Sequence, residues 1–259
     1  MMVKLLASTA VAAVFASSAL AADSAPRSPV LYAPAPMVTG HVEMGLGVFS
    51  AGSTSGLFTA SGRANKVLWH GWNMELEAGG NGIFGSPSSA TSVFSGYGHF
   101  WTMATPVHAF GVFGGAAFTT GTTVTTLGIE GKAHLGALTL GASIADSFPT
   151  GGGSNFWTGN LSAAAYLDPN TRIGAAATVA SGNGFGSTTV YVLTADAEHR
   201  FVDPISMWGS LNYVTATGSG SNAWAGLLGL RIFADPVNSS LRSHDDIVPW
   251  HVNNQLRAY

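Results

Sequence analysis

The stretch Leu193-Thr194-Ala195-Asp196-Ala197-Glu198-His199-Arg200-Phe201 carries a charge at three successive alternate positions, Asp196, Glu198 and Arg200, set between Leu193, Ala195 and Ala197. Residues two apart share one face of a β-strand, so this segment has one charged face and one uncharged face. Two other segments read the same way. Glu75 and Glu77 alternate with Met74, Leu76 and Ala78, and Glu130 and Lys132 alternate with Leu127, Ile129, Gly131 and Ala133. Singly charged segments fit as well: Glu43 opposes Val42, Met44, Leu46 and Val48; Arg172 opposes Ile173, Ala175, Ala177 and Val179; Arg231 opposes Leu228, Leu230 and Ile232.

Such strands suit either a soluble sandwich, polar towards water, or a membrane barrel, apolar towards lipid. Charge content separates the two. Charged residues are 9% of the chain, against roughly 25% in ordinary soluble domains. The lysines are Lys4, Lys66 and Lys132, too few for the water-facing sides of a sandwich. Beyond the N-terminus, no segment is apolar for the roughly 18 residues that a membrane helix needs. A closed barrel hides apolar surface in lipid while pairing every backbone group. The expected fold is all-β: a single transmembrane antiparallel up-and-down β-barrel.

The chain opens Met1-Met2-Val3-Lys4, runs apolar and small from Leu5 to Ala16, and reaches Ser18-Ala19-Leu20-Ala21. A positive start, a short apolar run and an Ala-x-Ala exit predict a secretory signal peptide over 1–21. With a barrel behind it, the expected destination is the outer membrane of a Gram-negative-type cell. The chain has no cysteine, which removes disulfides, thiol catalysis and thiolate metal sites. A net charge of −3 argues for no nucleic-acid partner.

Residues 22–40 hold Pro26, Pro29, Pro34 and Pro36 among Ala and Ser, an extended periplasmic leader. Barrel strands are expected over 41–233, near 41–49, 57–64, 71–79, 92–101, 107–118, 123–133, 136–145, 156–167, 172–180, 189–201, 205–215 and 223–233. That makes twelve, within a range of ten to fourteen. Two kinds of connection alternate between them. Brief ones include Ala104-Thr105-Pro106, His134-Leu135-Gly136, Asp168-Pro169-Asn170 and Val202-Asp203-Pro204; longer Gly/Ser-rich ones cover 50–56, 80–91, 147–154, 181–187 and 217–222, with a short member at 119–122. Short turns are periplasmic and longer loops external in such barrels, so the alternation also gives orientation. Residues 234–259 form a tail that either plugs the barrel, pairs at an edge or hangs in the periplasm.

This phase points Glu43, Arg63, Glu75, Glu77, Glu130, Lys132, Arg172, Asp196, Glu198, Arg200 and Arg231 into the lumen, with Asn160, Ser162, Ser206, Ser210 and Asn212. Asp196 and Arg200 could pair along one strand face. Trp72, Trp101, Tyr166 and Phe201 fall near periplasmic strand ends, and Trp157, Tyr213 and Trp224 near outer ends. Together they are expected to form the interfacial aromatic girdles.

The Ala21-Ala22-Asp23 junction, the Pro/Ala leader and the Gly-rich alternating strands resemble the small outer-membrane β-barrel, porin-like proteins of alphaproteobacteria. The resemblance covers the layout of the chain and implies a pore through the barrel. Two features depart from it: the first strand opens Gly40-His41-Val42-Glu43-Met44 without an aromatic residue, and the chain continues past Phe233.

A charged lumen suits a narrow passive channel for small ions or solutes, because rings of charge set ion preference. Acidic and basic residues nearly balance, so they could instead pair and close the barrel, leaving an envelope-structural or surface-contact role. The third reading is an outer-membrane lipid hydrolase. It needs a nucleophile, a base and an orienting group within reach, and no H-E-x-x-H, G-x-S-x-G or phosphate loop occurs. His41, His99 and His134 are scattered inward residues, and His70 and His199 sit near strand ends. The expectation is therefore no enzyme, no cofactor and no metal. The expected partners are outer-membrane lipids and, during biogenesis, the barrel-insertion machinery. Oligomeric state has no signature in the sequence.

Overall fold

The computed structural model describes residues 38–68, 71–85, 92–119, 121–151, 154–182, 188–217, 222–234 and Leu241. The expected signal peptide, most of the leader and tail, and His70 lie outside the described residues. Twelve strands run β1 Thr39–Ser50, β2 Thr54–Val67, β3 Trp72–Phe84, β4 Ser92–Thr105, β5 His108–Thr119, β6 Thr122–Leu135, β7 Leu138–Pro149, β8 Phe156–Asp168, β9 Thr171–Gly182, β10 Thr189–Val202, β11 Ile205–Ala216 and β12 Asn222–Phe233. Each pairs antiparallel with its chain neighbours, and β1 pairs with β12, so the sheet closes without an edge.

The strands are 12–14 residues long and outrun the sequence-based limits at most ends. At about 3.3 Å per residue and a tilt near 40°, they rise about 30–35 Å along the axis, enough for the apolar band of an outer-membrane wall. The largest difference is in β3, which continues through Gly79, Gly80 and Gly82 to Phe84, across residues expected to be loop. Neighbouring strands on both sides hold their hydrogen-bond ladders there, so Gly content does not end the strand. Likewise Thr39 and Gly40, assigned by the sequence to the leader, are already paired in β1. The β2–β3 connection lacks an obvious turn signal in the sequence. It closes by a Leu68 N–H to Trp72 C=O hydrogen bond of 2.8 Å, with Gly71 at positive φ.

Alternation sorts the side chains. Val42, Met44, Leu46 and Val48 of β1, Leu127 and Ile129 of β6, and Leu228, Leu230 and Ile232 of β12 are exposed on the outside, Leu228 to 68%. A continuous exposed apolar exterior is unstable in water and stable in hydrocarbon. The packed interior of the molecule is the lumen. Its described apolar clusters are Tyr97–Phe113–Ala145, Val192–Val214–Ala223 with Phe49 and Val190, and Tyr166–Phe233–Leu241.

Candidate functional site

The eleven charged residues of the alternating faces occupy inward positions, and each lies in the half of its strand nearer the short turns. They form a belt around one level of the lumen. Charge taken out of water must be paired and hydrogen-bonded. The belt pairs its charges in several clusters, while single atoms such as Glu75 Oε2 and Glu130 Oε2 stay without a hydrogen bond.

At the β1–β12 seam, Arg231 directly faces Glu43. Its Nε and Nη2 donate to Glu43 Oε2 at 2.9 and 2.6 Å, and its Nη1 donates to Glu198 Oε2 at 2.5 Å. Ser61 donates to Glu43 Oε1 at 2.8 Å, and Ser206 to Glu198 Oε1 at 2.5 Å. In the β2–β4 wall, Arg63 Nε lies 3.1 Å from Glu75 Oε1 and Arg63 Nη2 lies 3.2 Å from Glu77 Oε2. His99 Nδ1 reaches Glu130 Oε1 at 3.0 Å. Arg172 pairs with Asp196 across β9 and β10. Arg200 contacts Asp203 at 3.1 Å and lies over the Phe233 ring, 4.2 Å from its centroid.

The anticipated Asp196–Arg200 pair therefore does not form. Arg172 reaches Asp196 from the adjacent strand, whereas Arg200, near the short turn, meets the turn residue Asp203. Neutral polar residues line the wall elsewhere: Asn160 donates to Thr178 at 2.7 Å, and Thr194 donates to Asn212 at 3.1 Å.

Two girdle assignments are overturned. Trp101 and Tyr166 are 4% and 7% exposed and point inward, so neither meets the lipid interface. Trp101 shares its face with His99, and Tyr166 packs on Phe233 and Leu241. Trp72, Phe201, Tyr213 and Trp224 do face outward near strand ends; Trp72 stacks on Phe100 at 4.5 Å, and Tyr213 lies 4.5 Å from Trp224. Trp157 sits at an outward position opposite Asp146 but is only 9% exposed, so its ring lies against the wall.

Sequence reasoning missed the large luminal aromatics Tyr97, Phe113 and Trp208. Trp208 sits between Ser206 and Ser210, two residues already assigned inward, so parity alone could have found it. Its ring spreads over two inward glycines: a Cβ at Gly229 would stand 2.6 Å from Trp208 Cε2, and one at Gly45 would stand 2.8 Å from Cη2.

The chain thus closes twelve antiparallel strands around a belt of paired charges, with an apolar exterior. The fold is that of twelve-stranded outer-membrane porins. The NanC porin superposes with a TM-score of 0.58 at 8% identity, covering 74% of this chain and 98% of that one. The KdgM porin gives 0.52 at 9% identity, covering 73% and 98%. A monoaromatic hydrocarbon channel, TodX, gives 0.52 at 6% identity, covering 79% and 91%. No protein-family model and no curated sequence matches the chain.

Within this porin fold, the short-turn mouth receives part of the tail. Leu241 N–H donates to Pro169 C=O at 2.9 Å, and its buried side chain packs on Tyr166 and Phe233. Of the described side chains, Glu75, Glu77 and His99 offer three grouped donors suited to a metal ion.

Proposed function

We propose that the chain is an outer-membrane barrel that acts as a narrow passive diffusion channel for small ions or solutes. The observation that carries this reading is the sorting of side chains: six carboxylates and five basic groups face one lumen while the outside is apolar. A polar interior serves permeation and an apolar wall serves insertion. The channel names borne by NanC, KdgM and TodX support it by analogy of fold. In this reading Glu43, Arg63, Glu75, Glu77, Glu130, Lys132, Arg172, Asp196, Glu198, Arg200 and Arg231 line the path, which runs between their heads.

The reading includes removal of residues 1–21 during export, a lipid-facing exterior and folding by the insertion machinery. The Ala21-Ala22-Asp23 junction and the Pro/Ala leader favour grouping the chain with the porin-like barrels of alphaproteobacteria. No catalytic role belongs to the proposal.

One observation favours a second reading, a closed barrel with a structural or surface-contact role. The belt residues largely bury one another; Glu75 is 0% exposed and Arg63 7%. Single-channel recording of the purified full chain in planar bilayers separates the two. Steady unitary conductance supports the channel. Its absence, from protein that migrates faster on SDS gels unboiled than boiled, supports the closed barrel. Recovery in the soluble periplasmic fraction with no heat-dependent shift would sink both.

A further inference from the structure

Among the described residues, Glu75, Glu77 and His99 differ from the other luminal charges in standing together as a group of ligand-type side chains. Pairing of β3 with β4 sets Glu75 directly opposite His99, and Glu77 follows on the same face. One potential ligand atom from each lies within 4.8 Å of the other two, and all three side chains are buried. Arg63 holds both carboxylates from one side through Glu75 Oε1 and Glu77 Oε2. Glu75 Oε2 remains buried without a hydrogen-bond partner.

The histidine is oriented from its other side. His99 Nδ1 lies 3.0 Å from Glu130 Oε1, and the ring stacks on Phe113 with centroids 5.5 Å apart. A carboxylate accepting from Nδ1–H selects the tautomer whose Nε2 bears a lone pair. That Nε2 is buried and has no hydrogen-bond partner. A doubly protonated ring would leave a buried N–H donor unsatisfied at the same point. Carboxylate, imidazole and metal in sequence is the usual way a histidine ligand is held.

We infer that Glu75, Glu77 and His99 form a luminal binding site for a divalent transition-metal ion of the zinc class, with Glu130 and Arg63 as positioning residues. Two carboxylate oxygens and one imidazole nitrogen, without thiolate, suit zinc and its first-row neighbours better than magnesium or calcium. Donor atoms around tetrahedral zinc stand about 3.4 Å apart, so from a spread of at most 4.8 Å side-chain rotations closing the set by up to about 1.4 Å bring the three donors to ligating distance, with water as the fourth ligand. The group is rich in oxygen donors: the carboxyl groups of Glu75, Glu77 and Glu130 gather in one part of the wall, with Arg63 alongside. The inference rests on luminal geometry and holds whether or not the barrel conducts.

The test uses the untagged full chain, folded in detergent, stripped with chelator and titrated with Zn²⁺ by calorimetry and with Co²⁺ by visible absorption. The expected result is one ion per barrel with micromolar or tighter affinity, on the order of a thousandfold below the 1 mM scale of casual surface binding. Glu77→Gln and His99→Gln should each weaken it by about 100-fold or more, and Glu130→Gln by about 10–100-fold. His41→Gln, a luminal histidine outside the group, should leave it unchanged. Parent protein that binds no tighter than about 1 mM overturns the inference, as does binding that survives both Glu77→Gln and His99→Gln. Should a variant fail to fold, X-ray absorption of the zinc-loaded parent still decides. One nitrogen with oxygen neighbours supports the site; an all-oxygen or multiple-imidazole shell overturns it.

Discussion

Arg231 and Glu43 stand face to face across the β1–β12 seam, joined through two guanidinium nitrogens at 2.9 and 2.6 Å, although 188 residues separate them in the chain. The same guanidinium reaches Glu198, so one side chain ties the first strand to the tenth and twelfth where the barrel closes. Removing it strands two buried carboxylates. Arg231→Met should therefore cost about 3–5 kcal/mol, with part recovered in the double variant with Glu43→Gln. Urea unfolding in lipid vesicles measures both; a loss below about 1 kcal/mol for Arg231→Met would show that the seam does not depend on this network.

The two faces of the wall should differ in their tolerance of charge. Leu228→Arg places a guanidinium in hydrocarbon near mid-strand and should cost about 2–4 kcal/mol, whereas Leu140→Arg, near the short-turn end of β7, should cost less. Ser143→Arg and Ser210→Arg place it on the luminal side and should cost much less. Equal sensitivity of both faces, read by the same unfolding measurement, would mean that the exterior does not lie in lipid.

Gly229 and Gly45 make room for the Trp208 ring in the lumen. A larger residue must displace the indole or shift the strands, so Gly229→Val should destabilise by about 1–3 kcal/mol. Gly62→Ala is the control, because its new Cβ would face outward with its nearest neighbour, Val42 Cγ1, 3.5 Å away. Changed tryptophan emission in Gly229→Val but not in Gly62→Ala is the expected signature. Identical spectra and stabilities would remove Trp208 from the luminal packing.

If the belt lines a conducting path, its charges should set ion preference. Glu75→Gln with Glu77→Gln should move the reversal potential under a salt gradient towards anion selectivity. Arg172→Gln with Arg231→Gln should move it towards cation selectivity. Conductance indifferent to both pairs would mean that the path runs elsewhere. No conductance in the parent would leave the closed barrel.

Much of this architecture was legible before any coordinates, because a strand has period two and a barrel wall has two unlike sides. Once Asp196, Glu198 and Arg200 are placed inward, parity assigns every other residue of β10 without knowledge of its neighbours. Most of the twelve segments and their alternating connections follow in the same way from local signals, the β2–β3 connection excepted. Applied consistently, parity would also have sent Trp101 inward with His99 and Trp208 inward with Ser206. At Trp101 aromatic character near a strand end argues for the girdle and phase overrides it; at Trp208 no such signal competes with phase. Pairing could not be read at all. Which residue stands opposite another depends on register and closure, so only the tertiary structure decided that Asp196 meets Arg172 rather than Arg200, that Arg231 bridges Glu43 and Glu198, and that Leu241 returns to Tyr166. The Glu75, Glu77 and His99 group was hidden for the same reason. Its members come from two strands, carry no motif spacing, and meet only because β3 and β4 settle in one register, fixed by hydrogen bonds along their whole length.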